Sequence, residues 1–479
     1  MDLSNFTISQ IHNGLKNKDF SATQLVGAYF ENIEKKDKDI FAYLSLTKEM
    51  AMFQAKEVDS LIANKQELPL LAGVPFAVKD NIMVKDIKCT AGSKILENYF
   101  ASFDAGVIEK LKANKSVILG KTNLDEFGMG SSTENSAFGN TKNPRDLSRV
   151  PGGSSGGSVA SVIANECVFA LGSDTGGSIR LPCSFCGAVG LKPTYGSVSR
   201  YGLIAFASSL EQIGVITKTV EDAEIVFNAI KGRDANDSTS VDLSSIKQTK
   251  HKSEKLDIKK TRIGIPKEYF VKGIDPAVEK SVKNAIKKYQ ELGAKIVEIS
   301  LPNTEYALAV YYIISMAEAS SNLARYDGIR YGKSLENDEQ NANNDLLSAY
   351  METRGKNFGK EVRRRIMIGT FVLSAGYYDA YYLKAQKVRN KIIQDFNSAF
   401  EKVDVILAPV SPFMAFKIGE KIGDPLSMYL SDIFTVSVNL AGLPALSLPC
   451  KEKDSLPTGF QLIGPAFEED KILEIGKLI

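Results

Sequence analysis

The chain has 479 residues, 44% of them apolar and 24% charged. That is the balance of a soluble globular protein with a large core, and the length alone allows two or three domains. Lys and Arg total 59 against 57 Asp and Glu, a net charge of +2, so there is no global basic footprint, and this chain is not expected to be the main reader of a nucleic acid. The opening MDLSNFTISQ lacks the basic start and apolar run of a signal peptide. No apolar run reaches the ~18 residues of a membrane span, since Pro409 and Pro412 break the nearest, 405–416. A cytoplasmic protein without membrane contact is expected.

In chain order, residues 7–66 read as helices. Thr7 is placed to cap the first, with Ile8, Ile11 and Leu15 on one face; Ser21 or Thr23 is placed to cap the second, with Leu25, Tyr29 and Ile33. A third helix covers 47–66. The run 70–78 contains Gly73 and Pro75 and reads as a buried strand. Helix 104–114 precedes strand 116–119, and helix 158–164 precedes strand 167–171. Helix 219–231 follows, then strand 262–266, helix 277–292, helical stretches 306–326 and 360–400, and strands 403–408 and 445–448. This alternation predicts an α/β fold with a mostly buried sheet. Between these elements, 243–260 crowds six lysines with little that is apolar and reads as a solvated connector rather than a basic binding patch. Residues 335–346 are polar and read as a loop.

The five cysteines are Cys89, Cys167, Cys183, Cys186 and Cys450. An odd, sparse set in apolar or glycine-rich contexts fits buried thiols in a reducing compartment. Cys183 and Cys186 form a lone C-x-x-C with no second pair and no nearby histidine, so no metal site is expected there.

The most informative stretch is 151–194. It sets two serines in glycine-rich beds, Gly152-Gly153-Ser154-Ser155-Gly156-Gly157-Ser158 and Gly172-Ser173-Asp174-Thr175-Gly176-Gly177-Ser178. Glycine at this density serves tight turns or close approach to the backbone, and the apolar segments between the beds speak against flexible linkers. The first bed formally matches G-x-S-x-G twice, but that elbow needs a histidine base. The histidines are His12, on the first helix, and His251, in the lysine-rich connector; neither adjoins a bed. No lysine directly follows either bed's glycines, so neither is a Walker A loop. A serine nucleophile would then need another base. Lysine can serve if it is held neutral, with burial lowering its ordinary pKa of about 10.4. Lys79 ends the apolar run Val74-Pro75-Phe76-Ala77-Val78 and precedes Asp80-Asn81. It is either that buried base or a surface lysine at a strand end.

These residues resemble the amidase signature family, which uses a Ser-Ser-Lys triad. The resemblance runs from about residue 20 to the end, centres on 71–216 and covers 151–194 almost throughout. It implies Ser178 as nucleophile, Ser154 on a cis peptide bond as the bridging serine, and Lys79 as base. The 24-residue step from Ser154 to Ser178 is similar to the family's. It also implies an oxyanion hole from the backbone N–H groups of Thr175, Gly176, Gly177 and Ser178. Ser155 and Ser131 are candidates to orient Lys79, or ordinary turn hydroxyls; Arg180 is read as structural. The implied fold is α/β, a single compact domain over 1–479 with a mixed central β-sheet covered by helices on both faces, and 243–260 as a surface excursion within it.

Within the family the chain is most similar to the glutamine-hydrolysing subunits of tRNA-dependent amidotransferases. The segments that carry this are 120–134 (GKTNLDEFGMGSSTE), Ala319-Ser320-Ser321-Asn322-Leu323 with Tyr326-Asp327-Gly328, and 376–382 (GYYDAYY). The resemblance implies glutamine as substrate, and ammonia passed to a partner that amidates Glu-tRNA(Gln) with ATP and magnesium. It implies subunits of the B and C type as partners, tRNA held through them, and no cofactor or metal in this chain. A free-standing amidase acting on other amides is the alternative, and a non-catalytic scaffold a further one. Free glutamine carries a carboxylate and an ammonium, so its site should supply an arginine and an acid. Arg354 is the expected carboxylate clamp, with Asp424 and Tyr306 on the ammonium side and Asp432 as rival to Asp424. Lys356 and Asn357 replace a Glu-Gly pair of the common form, which bears on the rim of that site.

Overall fold

The computed structural model describes residues 2–3, 6–246, 256–270, 273–333, 345–450 and 456–479. His251, the central lysines of the 243–260 connector and nearly all of the 335–346 loop lie outside the described residues. Eleven strands form one sheet: β1 (Tyr43–Leu46), β2 (Pro75–Lys79), β3 (Val117–Thr122), β4 (Phe169–Asp174), β5 (Val189–Lys192), β6 (Gln212–Thr217), β7 (Arg262–Pro266), β8 (Lys295–Ile299), β9 (Val405–Pro409), β10 (Ala445–Cys450) and β11 (Thr458–Ile463). Their order is β1-β3-β2-β4-β6-β5-β10-β11-β9-β7-β8. The sheet is mixed, as expected. β3, β2 and β4 run parallel, β9, β7 and β8 run parallel, and the strands between are antiparallel.

Local chemistry explains most elements. Thr7 and Ser21 each form a capping box, with Gln10 and Gln24, at the starts of Ile8–Asn17 and Ala22–Ile40. Thr219 caps Val220–Ile230. β2, β3 and β4 are buried along their whole length, as near-continuous apolar strands in the parallel part of a sheet should be. The main apolar core among the described residues runs from Leu3 to Ile475, and a second, small cluster holds Val150, Leu181, Phe185, Ala415, Phe416 and Met428. The helical stretch 360–400 is two helices, Lys360–Leu373 and Lys384–Phe400, parted by Gly376 at φ +86° and a π-helical turn over Asp379–Leu383. No helix among the described residues is long and apolar enough to cross a membrane.

The parallel strands set the stage for chemistry. β2 and β4 are neighbours with the same direction, so Lys79, the last residue of β2, and Ser173-Asp174, the last of β4, emerge at one edge of the sheet. The helix Gly156–Ile163 brings the first glycine bed to that edge. Ser158 Oγ pins the helix to β4 by donating to Leu171 O (3.0 Å) and lies 2.7 Å from Thr122 Oγ1 of β3. A Cβ on Gly157 would stand 2.5 Å from Asn123 O, so only glycine lets the helix sit this close.

Candidate active site

Lys79 is wholly buried, which settles the choice between core and surface. Its Nζ lies 2.8 Å from Ser154 Oγ, 2.9 Å from Ser155 Oγ, 2.9 Å from Ser173 Oγ and 3.3 Å from Ser173 O. All of these are neutral groups. Burial pulls the amine down to about 7, against the opposing pull of Asp125, Asp174 and Glu211. The Gly153–Ser154 peptide is cis. Ser155 N–H donates to Ser178 O (3.1 Å) and so ties the first bed to the second. Ser155 thus touches Lys79, one of the two roles open to it in the sequence. Ser131 does not: its hydroxyl donates to Asp432 Oδ2 at 2.7 Å.

The second bed is held from below. Asp174 accepts from Arg180 Nε and Nη2, each at 3.1 Å, and from Asn439 Nδ2 at 3.0 Å. Burial alone would raise this carboxyl, but Arg180, Lys192 and Asn439 hold it at about 2. Arg180 reaches on to Gln461 Oε1 (2.8 Å) and Thr435 O (3.1 Å), so it fastens the C-terminal strands under the loop. Beside this anchor, Ser178 keeps 8% of its surface exposed. Among the described residues no acceptor takes the backbone N–H of Thr175, Gly176, Gly177 or Ser178. Side-chain space at the glycines is closed: a Cβ on Gly176 would meet the Tyr311 ring at 2.5 Å, and one on Gly177, at φ +143°, would clash with Thr435.

Asp432 and Tyr311 wall this loop, and Arg365 stands within electrostatic reach of both. Asp432 is 7% exposed, and a Cβ on Gly177 would stand 3.2 Å from its Oδ1. Burial raises its carboxyl to about 7, while Ser131 and Arg365 oppose the rise. Arg365 is buried at 3%; its Nε donates to Glu361 Oε1 at 2.7 Å, and its guanidinium lies 5.3 Å from the Tyr312 ring centre and 5.4 Å from that of Tyr429. Tyr311 completes the wall; burial raises its hydroxyl, with Arg365 and Asp432 both within electrostatic reach.

The residues expected to clamp a substrate fall differently. Arg354 donates through Nη1 to Leu323 O (2.9 Å) and Tyr326 O (3.0 Å) and lies over the Tyr350 and Phe358 rings. Asp424 is exposed and caps the short helix Pro425–Tyr429 through Ser427 N (3.2 Å). Tyr306 is 52% exposed just before the helix Ala307–Asn322. Of the named acids, the rival Asp432 is the one beside the second bed. Arg365 and Tyr311 were not singled out from sequence. Arg365 carried a signal all the same: with Val362, Gly369 and Val372 it shares the buried stripe of Lys360–Leu373, and a charge on a core stripe needs a reason. Cys183 and Cys186 are buried free thiols, and burial pushes both upward, away from reactivity. No group of three or more His, Cys, Asp or Glu among the described residues is arranged to hold a metal.

A mixed α/β sheet with a buried amine among serine hydroxyls at the carboxyl edge of its parallel strands has the parts of a histidine-free acyl-transfer enzyme. The model of the amidase family matches residues 24–473, and the chain belongs to that family. It is 56% identical to the A-type subunit of the glutamyl-tRNA(Gln) amidotransferase of Thermoanaerobacter pseudethanolicus, over 99% of this chain and 96% of that protein. It is 52% identical to the A-type subunit numbered 2 of the same enzyme from Clostridium acetobutylicum, over 100% and 99%. The crystal structure of the A-type subunit of the glutamyl-tRNA(Gln) amidotransferase from Thermotoga maritima superposes with a TM-score of 0.80 at 43% identity, covering 100% of this chain and 95% of that one. Peptide amidase from Stenotrophomonas maltophilia gives 0.80 at 26% identity, covering 99% and 96%.

Proposed function

We propose that this chain is the glutamine-hydrolysing subunit of a tRNA-dependent amidotransferase, and that it supplies ammonia through Lys79, Ser154 and Ser178. The observation that carries the reading is the buried Lys79 amine set among neutral oxygens, 2.8 Å from Ser154 Oγ. Neutral Lys79 takes the Ser154 hydroxyl proton while Ser154 takes that of Ser178. The Ser178 oxygen then attacks the side-chain amide carbon of glutamine. The developing oxyanion is met by the N–H groups of residues 175–178, and one such donor is worth about 100- to 1,000-fold in rate. The proton returns from Lys79 through Ser154 to the amide nitrogen, the carbon–nitrogen bond breaks and ammonia leaves. Water then hydrolyses the Ser178 ester to release glutamate.

Glutamine's α-groups find partners in Arg365 and Asp432. Arg365 is the carboxylate clamp, since a guanidinium pairs a carboxylate with two parallel hydrogen bonds. Asp432 receives the ammonium, whose charge brings its raised carboxyl back to the ionised form. Arg354 and Asp424 then brace the rim. The relatives' name supports an assembly of several different chains. In it we assign ATP, magnesium and the tRNA to partners of the B and C type, and we place the complex in the cytoplasm. Ser178→Ala should abolish ammonia release from glutamine in a protein that still folds. Full turnover by that variant, or robust aryl-amide hydrolysis by the chain alone with no response to glutamine, would overturn the reading.

A further inference from the structure

Four oxygens surround Lys79 Nζ, and a neutral amine has only two N–H donors and one lone pair. If the lone pair is to face Ser154, the two N–H bonds must be taken elsewhere. One goes to Ser155: its hydroxyl donates to Ser173 O at 3.1 Å, so its oxygen is open to Lys79 at 2.9 Å. The other goes to Ser173 Oγ at 2.9 Å, a closer acceptor than Ser173 O at 3.3 Å. This works only if the Ser173 hydroxyl proton points away from Lys79. Were it to point inward, it would occupy the lone pair and silence the base.

Asn81 decides this. Its side chain is 4% exposed and lies 3.0 Å from Ser173 Oγ through Nδ2, while Oδ1, also buried, has no partner among the described residues. With Nδ2 inward, Ser173 Oγ receives donors from both Asn81 and Lys79, which suits a charged lysine. A half-turn of the amide exchanges the two ends and presents Oδ1 instead. Ser173 then donates to Asn81 Oδ1 in place of accepting from Nδ2, and the Ser173 oxygen faces the Lys79 N–H. We propose that Asn81 is a positioning residue: its side-chain carbonyl draws the Ser173 hydroxyl proton, and the chain Lys79–Ser173–Asn81 thereby aims the Lys79 lone pair at Ser154. This rests on the assignment of Lys79 as base.

The test is steady-state glutamine hydrolysis by the full chain, co-expressed with its partners, across pH. Asn81→Leu should lower kcat roughly 10- to 100-fold with an unchanged KM, less than the loss of one member of a catalytic unit, which costs about 10,000-fold or more. Ser173→Ala should do the same, and the double variant should be no worse than either single one. Asn81→Asp keeps the acceptor and adds a fourth acid to Asp125, Asp174 and Glu211 around Lys79. Its kcat at alkaline pH should recover to within a few-fold of the parent, and its acidic limb should move upward. Wild-type kcat in Asn81→Leu, additive losses in the double variant, or an Asn81→Asp protein as slow as Asn81→Leu at every pH would each overturn the proposal. Should Asn81→Leu not fold, the Asn81→Asp profile decides alone. Lys79→Ala separates the two levels: activity there would sink the base assignment itself, whereas inactivity there beside a normal Asn81→Leu would sink only the role of Asn81.

Discussion

Two buried lysines sit one strand apart in this sheet and are treated in opposite ways. Val78 of β2 is in register with Lys121 of β3, and Lys79 with Thr122. Since side chains alternate along a strand, the two amines leave the sheet on opposite faces. Both are wholly buried. For Lys121 burial pulls the amine down, but the Asp80 carboxylate at 3.0 Å more than restores it, and its pKa ends above the ordinary value. Asp80 is itself held by Thr90 N at 2.8 Å. Lys79 has no carboxylate within hydrogen-bond reach among the described residues, only hydroxyls and a carbonyl, and falls to about 7. Burial is the same, and the partner decides whether the lysine is a strut or a base. Lys192 sharpens the point. Burial and then Arg180 bring it to about 7 as well, yet its Nζ donates to Pro193 O at 2.8 Å. A lowered pKa makes a base only where a hydroxyl waits beside it.

The contrast can be broken on either side. Lys79→Ala should cut ammonia release from glutamine by roughly 10,000-fold or more, as loss of one member of a catalytic unit does; steady-state assay of a folded variant checks it. On the other lysine, Asp80→Asn should act on stability. It strands a charged Lys121 in the interior, at about 3–5 kcal/mol, read from urea unfolding, and Asp80→Asn with Lys121→Met should recover most of the loss. An intermediate effect is expected at the candidate clamp. Arg365→Lys should raise the glutamine KM roughly 10- to 100-fold, since hydrogen bonds to charged groups contribute about 1.5–3 kcal/mol, with kcat much less changed. An unaltered KM would move the carboxylate clamp elsewhere. Least of all, Lys192→Met should leave glutamine hydrolysis within a few-fold of the parent. A collapse of activity in a folded Lys192→Met protein would show that the sheet edge holds a second functional amine.

Much of this was legible in the sequence, for physical reasons. The capping residues Thr7 and Ser21 and the apolar runs of β2 and β4 are local signals, and they placed those elements to within a few residues. The absence of a usable histidine beside two serine beds called for another base and left Lys79 open as that base or as a surface lysine; the resemblance to the amidase signature family chose between them. What escaped depends on contacts far apart in the chain. β1 and β5 are only four residues long and β8 is buried only at Ile299, so their local signal is weak, whereas β6 (QIGVIT) and β11 (TGFQLI) are as long as β3 and β4 and carry apolar runs that do read as strands. Asp432 reaches Ser131 across 301 positions, and Arg365 comes near Asp432 and Tyr311 only because Lys360–Leu373 packs against Ala307–Asn322. Arg354 stood in a motif that invited a clamp, and its Nη1 lies on two backbone carbonyls, a contact no local pattern shows.

The mechanism turns on the charge of one amine, and that can be read directly. In full-length protein with 13Cε-labelled lysine, the Lys79 resonance, identified by its loss in Lys79→Met, should titrate near pH 7. Because only the neutral amine can accept the Ser154 proton, kcat/KM for glutamine should rise with pH through the same midpoint and level off above it. A Lys79 resonance that titrates near the ordinary value of about 10.4, or a kcat/KM that stays flat across that midpoint, would contradict the assignment of Lys79 as the base.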